Sequence, residues 1–246
     1  HYDNYPLVMK IALIGYGKMG QAIEEIALQK GHSICLAISS KNAKDLTQEN
    51  LQKADVAIEF TTPENAVNNI LQCFEAGVPV ICGTTGWLND YNKVKDICLE
   101  KDGSFLYASN FSIGVNIFFE LNKKLAALMN KQDYAVTIDE THHTHKKDAP
   151  SGTAITIAEE ILKAFPDKKG WVNYKSEKDE DLSIITHRID PAAGKHAVKY
   201  SSEVDDIEII HTAHNRKGFA AGALLAAEFI KDKKGIFTMK DVLGIQ

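Results

Sequence analysis

The sequence predicts an α/β protein in two parts: an N-terminal parallel-sheet domain, then an α+β domain with a mixed or antiparallel sheet. Three observations carry this expectation. Short apolar runs alternate with helical segments from Met9 to Ala108, the pattern of parallel strands joined by right-handed crossovers. A Gly-x-Gly-x-x-Gly turn, Gly15 to Gly20, separates the first apolar run from the first helical one. Beyond Gly170, apolar runs succeed one another without helices between them, which is typical of antiparallel strands.

Taken in order, Met9 to Ile14 reads as a strand, followed by the glycine turn and a helix with Ile23, Ile26 and Ala27 on one face. Strands are expected at Ser33 to Ile38, Asp55 to Phe60, Val78 to Cys82 and Ser104 to Ala108. Polar or helical segments, such as Pro63 to Glu75 and Asn89 to Lys101, are expected between them. After Asn110 the pattern changes to a helix from Val115 to Met129, a strand from Ala135 to Glu140, a polar loop, and a helix from Thr153 to Phe165 stopped by Pro166. Strands at Leu182 to Ile189, Ala197 to Ser202 and Asp206 to Thr212 follow, then a helix from Phe219 to Lys231. The expected first domain is 9–110 with 216–246, and the expected second is 111–215. Residues 1–8 fit none of this pattern and are expected to be an expression remnant.

The chain has 246 residues, 44% hydrophobic and 25% charged, enough for a sizeable core and too apolar for disorder. Net charge is −5, with no basic block, which argues against a nucleic-acid partner. Of the basic residues only Arg188 and Arg216 are arginine, so an anionic small molecule would be gripped locally. The longest apolar run, Phe219 to Ala227, ends at Glu228, far short of the roughly 20 residues that span a bilayer. No membrane association and no secretory leader are expected. Cys35, Cys73, Cys82 and Cys98 form no CxxC pair, and each lies in or near an apolar stretch; they read as reduced core thiols of a cytoplasmic protein.

The strand–glycine turn–helix context makes Gly15-Tyr16-Gly17-Lys18-Met19-Gly20 a Rossmann-like dinucleotide fingerprint. Gly15 permits the tight turn, Gly17 admits a pyrophosphate against the backbone, and Gly20 allows close helix packing. The helix N-terminus then faces the anion. At the end of the second strand, where an acidic residue would bind the ribose 2′-hydroxyl of NADH, the chain reads Ser39-Ser40-Lys41. Small hydroxyls beside a lysine suit a 2′-phosphate, so NADPH is expected to be accepted alongside or ahead of NADH. Gly83-Thr84-Thr85-Gly86, directly after a strand, is a second candidate cofactor loop.

Seven of nine histidines fall between His142 and His214, and three are packed into the segment from Glu140 to Ala154. Adjacent imidazoles and ammoniums on a loop are poor core material. Downstream, Pro150, Ser151, Gly152 and Thr153 open a helix whose free N–H groups and dipole favour an anion, with Gly152 allowing close approach of a carboxylate. Histidine gains and loses protons near neutrality, so His142 with Lys146 four residues on supplies a proton donor and a cation beside that anion site. A metal site at His142, His143 and His145 is the rival reading; adjacent histidines diverge, there is no HExxH helix, and no cysteine lies nearby, so no metal is expected.

These residues resemble a known family. GYGKMG, EFTTPE at Glu59 to Glu64, CGTTGW at Cys82 to Trp87, ASNFSIGVN at Ala108 to Asn116 and, above all, ETHHTHKKDAPSGTA at Glu140 to Ala154 closely resemble the dihydrodipicolinate reductase (4-hydroxy-tetrahydrodipicolinate reductase) family, in order from Met9 to the last helix. The resemblance implies an NAD(P)H-dependent reduction in the diaminopimelate route to lysine. Hydride goes to C4 of an unsaturated cyclic dicarboxylate formed by loss of the 4-hydroxyl, and the resulting enamine is protonated. It further implies that His142 is the acid/base residue and Lys146 the catalytic lysine. His143, Gly152 and Thr153 match the substrate-carboxylate site. Gly15 to Gly20, Gly83 to Thr85 and Ala108, Ser109, Asn110 and Phe111 match the cofactor contacts, the last four also forming a hinge. Homotetramers assembled through the second domain's sheet are implied as well. The chain departs from the family at Ser39-Ser40-Lys41, where an acidic–basic pair is common, and in the loop from Arg188 to His196. Arg216 matches a family arginine with an interdomain or ligand role, while for Arg188 a structural ion pair and a ligand role stay equally open. Two other functions remain: another Rossmann oxidoreductase of amino-acid metabolism, or a non-catalytic NAD(P)-sensing protein.

Overall fold

The structure, a computed structural model, describes residues 8–245; apart from Val8, the expected expression remnant lies outside them. In chain order the elements are β1 (Lys10–Ile14), α1 (Lys18–Gln29), β2 (Ser33–Ile38), α2 (Gln48–Leu51), β3 (Val56–Glu59), α3 (Pro63–Glu75), β4 (Val80–Cys82), α4 (Tyr91–Glu100), β5 (Ser104–Tyr107), α5 (Ile113–Met129), β6 (Ala135–His142), α6 (Gly152–Ala164), β7 (Gly170–Val172), β8 (Asp181–Arg188), β9 (Gly194–Ser201), β10 (Asp206–Ala213), α7 (Lys217–Ile230), β11 (Gly235–Phe237) and α8 (Met239–Leu243). Two compact units result. One runs to Ser112 and resumes at Lys217, and the other is Ile113–Arg216.

In the first unit a six-stranded sheet has the order β11-β5-β4-β3-β1-β2, and every neighbouring pair is parallel. Period-two alternation explains how both faces are filled. Ile11 and Leu13 of β1 join Val56, Ile58, Ile81 and Leu106 against α1 and α7. Ala12 and Ile14 join Ala57, Val80, Cys82 and Phe105 against α3 and α4. Each such fully buried Ile or Leu is worth about 1.5–3 kcal/mol. Helix α3 starts with Pro63 in its first turn followed by Glu64, both favourable at an N-terminus. The connection order reverses between β1 and β3, and such a switch point opens a crevice at the strands' carboxyl ends.

Edge position corrects one expectation. β2 is an outer strand, and its Cys35 is exposed, whereas Cys73, Cys82 and Cys98 are buried. All four are free thiols, but only three are core residues.

In the second unit a five-stranded sheet has the order β10-β9-β6-β8-β7. It is mixed. β6 pairs antiparallel with β9, and β9 with β10, but β6–β8 and β7–β8 are parallel. Of the two expected arrangements, mixed or antiparallel, the mixed one is found: α6 carries the chain back to the start of the sheet before β7, and the segment after β7 does the same before β8. Val136 and Ile138 of β6, with Leu182, Ile184, Val198 and Tyr200, pack against Phe118 and Ala126 of α5 and Ile157 and Ile161 of α6. Among the described residues, no helix is long and apolar enough to cross a membrane.

Candidate active site

In the first unit, loops after β1, β3 and β4 enclose a cavity of about 390 Å³ lined by Gly17, Lys18, Met19, Gly20, Phe60, Thr61, Pro63, Gly83, Thr84 and Thr85. Gly15 stands behind this lining at φ +104°, where a Cβ would fall 1.8 Å from the Phe60 carbonyl oxygen. A Cβ on Gly20 would fall 2.4 Å from the Gly15 carbonyl oxygen. Gly17 differs, because a Cβ there would meet no protein atom within 4 Å. It caps α1, whose first turn holds no acidic residue and whose end has no side-chain cap. The turn therefore leaves room and positive potential for an anionic group at Gly17, which fits a dinucleotide pyrophosphate.

Other predicted cofactor residues lie outside the cavity lining. Tyr16 donates its hydroxyl to Glu24. Ser39 binds Asn42 Oδ1 through its N–H at 2.7 Å and its hydroxyl at 3.2 Å, while Lys41 is exposed. Ala108 donates its N–H to Cys82, and Asn110 Oδ1 accepts the Ser112 N–H at 2.8 Å. Phe111 is buried and stacks edge-on with Phe60, which reaches the lining, and with Phe219. Ser109 lies between Ala108 and Asn110 beyond the end of β5. Phe60, Thr61 and Pro63 were not predicted. Their signal was the EFTTPE run after β3, a loop at the carboxyl end of a parallel strand.

The second unit collects the histidine segment around β6. Val136, Ile138, Glu140 and His142 alternate on the buried side of this strand, so the hydrophobic register delivers a carboxylate and an imidazole to its last two inward positions. The sequence reading placed His142 on a loop; it is instead a strand residue, 8% exposed, beside fully buried Glu140. His142 Nδ1 lies 2.8 Å from Glu140 Oε2. The contact is a close ion-pair approach, and neither atom has a hydrogen-bond partner of good geometry among the described residues. Glu140 Oε1 accepts the Ser151 N–H at 3.1 Å and the Thr186 hydroxyl at 3.0 Å. Burial is the largest single influence on Glu140 and favours the protonated form. Hydrogen bonds from His142 and Ser151, with the charge of His142, outweigh it and hold the carboxyl well below its ordinary range.

His196 was not singled out from the sequence. It is buried, its Nε2 lies 3.1 Å from Ser151 Oγ, and its ring meets that of His142 edge-on at 5.1 Å. Burial, then the charge of His142, lowers its pKa to about 3, so it stays a neutral hydrogen-bonding spacer. Glu140, His142 and His196 are the described residues close enough to share a metal ion, their ligand atoms lying within 4.8 Å of one another. This is a different trio from the sequence neighbours considered above, and its atoms already serve one another and Ser151.

Arg188 makes several contacts within the second unit. Its guanidinium reaches Glu140 Oε1 at 3.3 Å, the Asp148 carbonyl at 2.6 Å and the His187 carbonyl at 2.9 Å, pinning the loop after His142 to β6. In that loop Lys146 Nζ pairs with Asp148 at 2.8 Å, and Thr144 is held by Asp190 through its N–H at 3.0 Å and its hydroxyl at 2.6 Å. Arg216 donates to His143 Nε2 at 3.0 Å. Burial and then the Arg216 charge lower the pKa of His143. Gly152 and Thr153 form the first turn of α6, where Ser151 Oγ accepts the Ala154 N–H at 3.1 Å. Gly194, expected in a loop, is instead the first residue of β9, and it has no side chain to crowd His142; a Cβ there would lie 3.3 Å from Nε2.

Two family patterns match the chain: "Dihydrodipicolinate reductase, N-terminus" over residues 9–111 and "Dihydrodipicolinate reductase, C-terminus" over 114–243. The chain belongs to the dihydrodipicolinate reductase family. A 4-hydroxy-tetrahydrodipicolinate reductase from Christiangramia forsetii is 51% identical over 239 residues, covering 96% of this chain and 98% of that one. One from Neisseria meningitidis serogroup B is 34% identical over 229 residues, covering 90% and 84%. The solved dipicolinate-bound dihydrodipicolinate reductase from Paenisporosarcina sp. TG-14 shares the fold, with TM-score 0.75 at 23% identity over 94% of this chain and 98% of that one. The activity is accordingly that of the family: NAD(P)H-dependent reduction of 4-hydroxy-tetrahydrodipicolinate in diaminopimelate and lysine biosynthesis. A hyperthermophilic archaeal homoserine dehydrogenase also shares the fold, at TM-score 0.51 and 10% identity, but the family patterns across both units set aside a different Rossmann oxidoreductase.

Proposed function

We propose that the end of β6 is the catalytic centre, with His142 as proton donor and Lys146 as electrostatic catalyst. The single observation carrying this is the 2.8 Å contact between buried Glu140 and His142 Nδ1. It commits Nδ1 to a carboxylate and directs Nε2 past side-chain-free Gly194 toward substrate. With Glu140 facing Nδ1, Nε2 is the ring atom free to pass a proton to the enamine, and solvent then replaces that proton. Electron density builds on the substrate ring during reduction, and the Lys146 ammonium, fixed by Asp148, lowers the energy of that charge. When bound, NAD(P)H supplies the hydride.

The substrate on this reading is a cyclic dicarboxylate, the class of ligand bound in the Paenisporosarcina relative. One carboxylate is assigned to the first turn of α6 at Gly152 and Thr153, with His143 and Arg216 supplying donors and charge. The dinucleotide is assigned to the cavity at Gly17–Gly20 and Gly83–Thr85, with Gly15 shaping the turn. Tyr16, Ser39 and Ala108 to Phe111 are proposed as flanking contacts. With no carboxylate after β2 and Lys41 exposed there, NADPH is the preferred form; a much higher kcat/KM with NADH would contradict this.

A homotetramer is proposed, since β10 is an edge strand carrying exposed Ile207 and Ile210, a surface suited to pairing with another copy. The compartment is proposed to be cytoplasmic, in keeping with four free thiols. The decisive substitutions are His142→Gln and Lys146→Ala, each expected to lower kcat by roughly 10²-fold or more. Near wild-type turnover in the His142 variant would remove it from catalysis. A sensing protein without catalysis would bind NADPH and show no substrate-dependent oxidation.

A further inference from the structure

Glu59 is fully buried at the end of β3, and the mechanism above makes no use of it. Four side-chain donors converge on its carboxylate. Oε1 accepts from the Thr61 hydroxyl and, at 3.4 Å, from Asn69 Nδ2. Oε2 accepts from the Thr84 hydroxyl at 2.7 Å and the Cys82 thiol at 3.0 Å. All four donors are neutral, and a carboxylate that accepts at both oxygens satisfies the whole set. Burying an anion among neutral donors is costly unless every lone pair is used.

The donors are not randomly placed. Thr61 lies in the loop after β3 and Thr84 in the loop after β4, and both line the dinucleotide cavity. Thr84 Oγ in turn accepts the Thr61 N–H at 2.8 Å, and Asn69 of α3 also reaches Thr61 Oγ at 3.2 Å. The Thr84 carbonyl accepts the Trp87 indole N–H at 2.7 Å. Glu59 thus ties two cavity loops and one helix to a single buried point.

We propose that Glu59 is a positioning residue for the dinucleotide: its carboxylate sets the mutual placement of the Thr61 and Thr84 loops that form the cavity wall. A glutamine has the same shape but turns an NH2 toward the hydroxyl and thiol donors, so the shared anchor is lost while the volume is kept. The proposal rests on reading the cavity as the cofactor site, and the test separates the two.

NADPH is titrated into the purified wild-type enzyme and into the Glu59→Gln, Thr84→Val, Thr84→Ser and Gly17→Val variants, with nicotinamide fluorescence as readout and KM, kcat and Tm measured alongside. Glu59→Gln and Thr84→Val are expected to raise the NADPH Kd and KM about tenfold, with the loss falling on KM and not on kcat, and with the KM for the dicarboxylate unmoved. Thr84→Ser, which keeps the hydroxyl, is expected to restore Kd to within about twofold. Wild-type NADPH affinity in Glu59→Gln overturns the proposal. So does a loss confined to kcat, or one that tracks a fall in Tm with Kd unchanged. If Glu59→Gln does not fold, Thr84→Val against Thr84→Ser decides by the same criteria. Wild-type NADPH binding in Gly17→Val overturns the cofactor reading of the cavity itself.

Discussion

At the scale of single residues, the proposed chemistry depends on one fully buried carboxylate. Glu140 holds His142 Nδ1 at 2.8 Å and Ser151 N–H at 3.1 Å, so Glu140→Gln should cost roughly 10²-fold in kcat by loosening the imidazole and its proton. The same residue links stability to pH. Its folded-state pKa is depressed from 4.5, so its stabilisation is complete above that value and is lost as pH falls below it toward the folded-state pKa. Tm measured against pH should therefore show wild type and Glu140→Gln well separated at neutral pH and converging in acid; a constant gap would contradict the assignment. His142, Lys146 and the Gly152–Thr153 turn could be named from sequence because unusual residues cluster there. Glu140 and His196 could not, since each matters through partners brought in by the fold: Thr186 and Arg188 across the β6–β8 pairing, each other across β6–β9, and Ser151 from the start of α6. The clue that was present is the period of two in Val136, Ile138, Glu140 and His142, which extends the strand two residues past its expected end.

At the scale of elements, the three glycines of the first turn separate folding from binding. Gly15→Ala introduces strain at φ +104° and a clash with the Phe60 carbonyl, and should lower stability by about 1–3 kcal/mol. At Gly17 a Cβ would meet no protein atom within 4 Å, so Gly17→Val should leave Tm within a few degrees while weakening NADPH binding at least tenfold. Thermal melts with NADPH titration check both, and equal stability losses in the two variants would contradict the division of labour. Elements in strongly apolar or strongly periodic stretches, such as α3, α5, α6 and strands β1 to β5 of the parallel sheet, were legible from sequence. The three-residue strands β7 and β11 and the short α2 and α8 were not, because they are brief and, unlike fully buried β4, the two strands are only partly buried and lack a continuous apolar run.

At the scale of the whole molecule, parallel against mixed sheet was legible as a change in pattern after Asn110, but strand direction in the second unit was not. Direction there follows from how α6 and the segment after β7 return the chain, which local sequence does not encode. The exposed edge of β10 leads to an assembly prediction. Light scattering on the eluting protein should give four times the chain mass, and Ile210→Asp, placing a charge at a half-exposed edge position, should shift it to smaller species; a wild-type monomer would contradict the tetramer. The most direct test of the central claim is a coupled assay in which NADPH oxidation is followed while aspartate semialdehyde and pyruvate are condensed to fresh substrate. Oxidation that depends on that condensation, and that falls by roughly 10²-fold or more in His142→Gln, is the predicted result; NADPH binding without substrate-dependent oxidation, or an unchanged rate in His142→Gln, would contradict it.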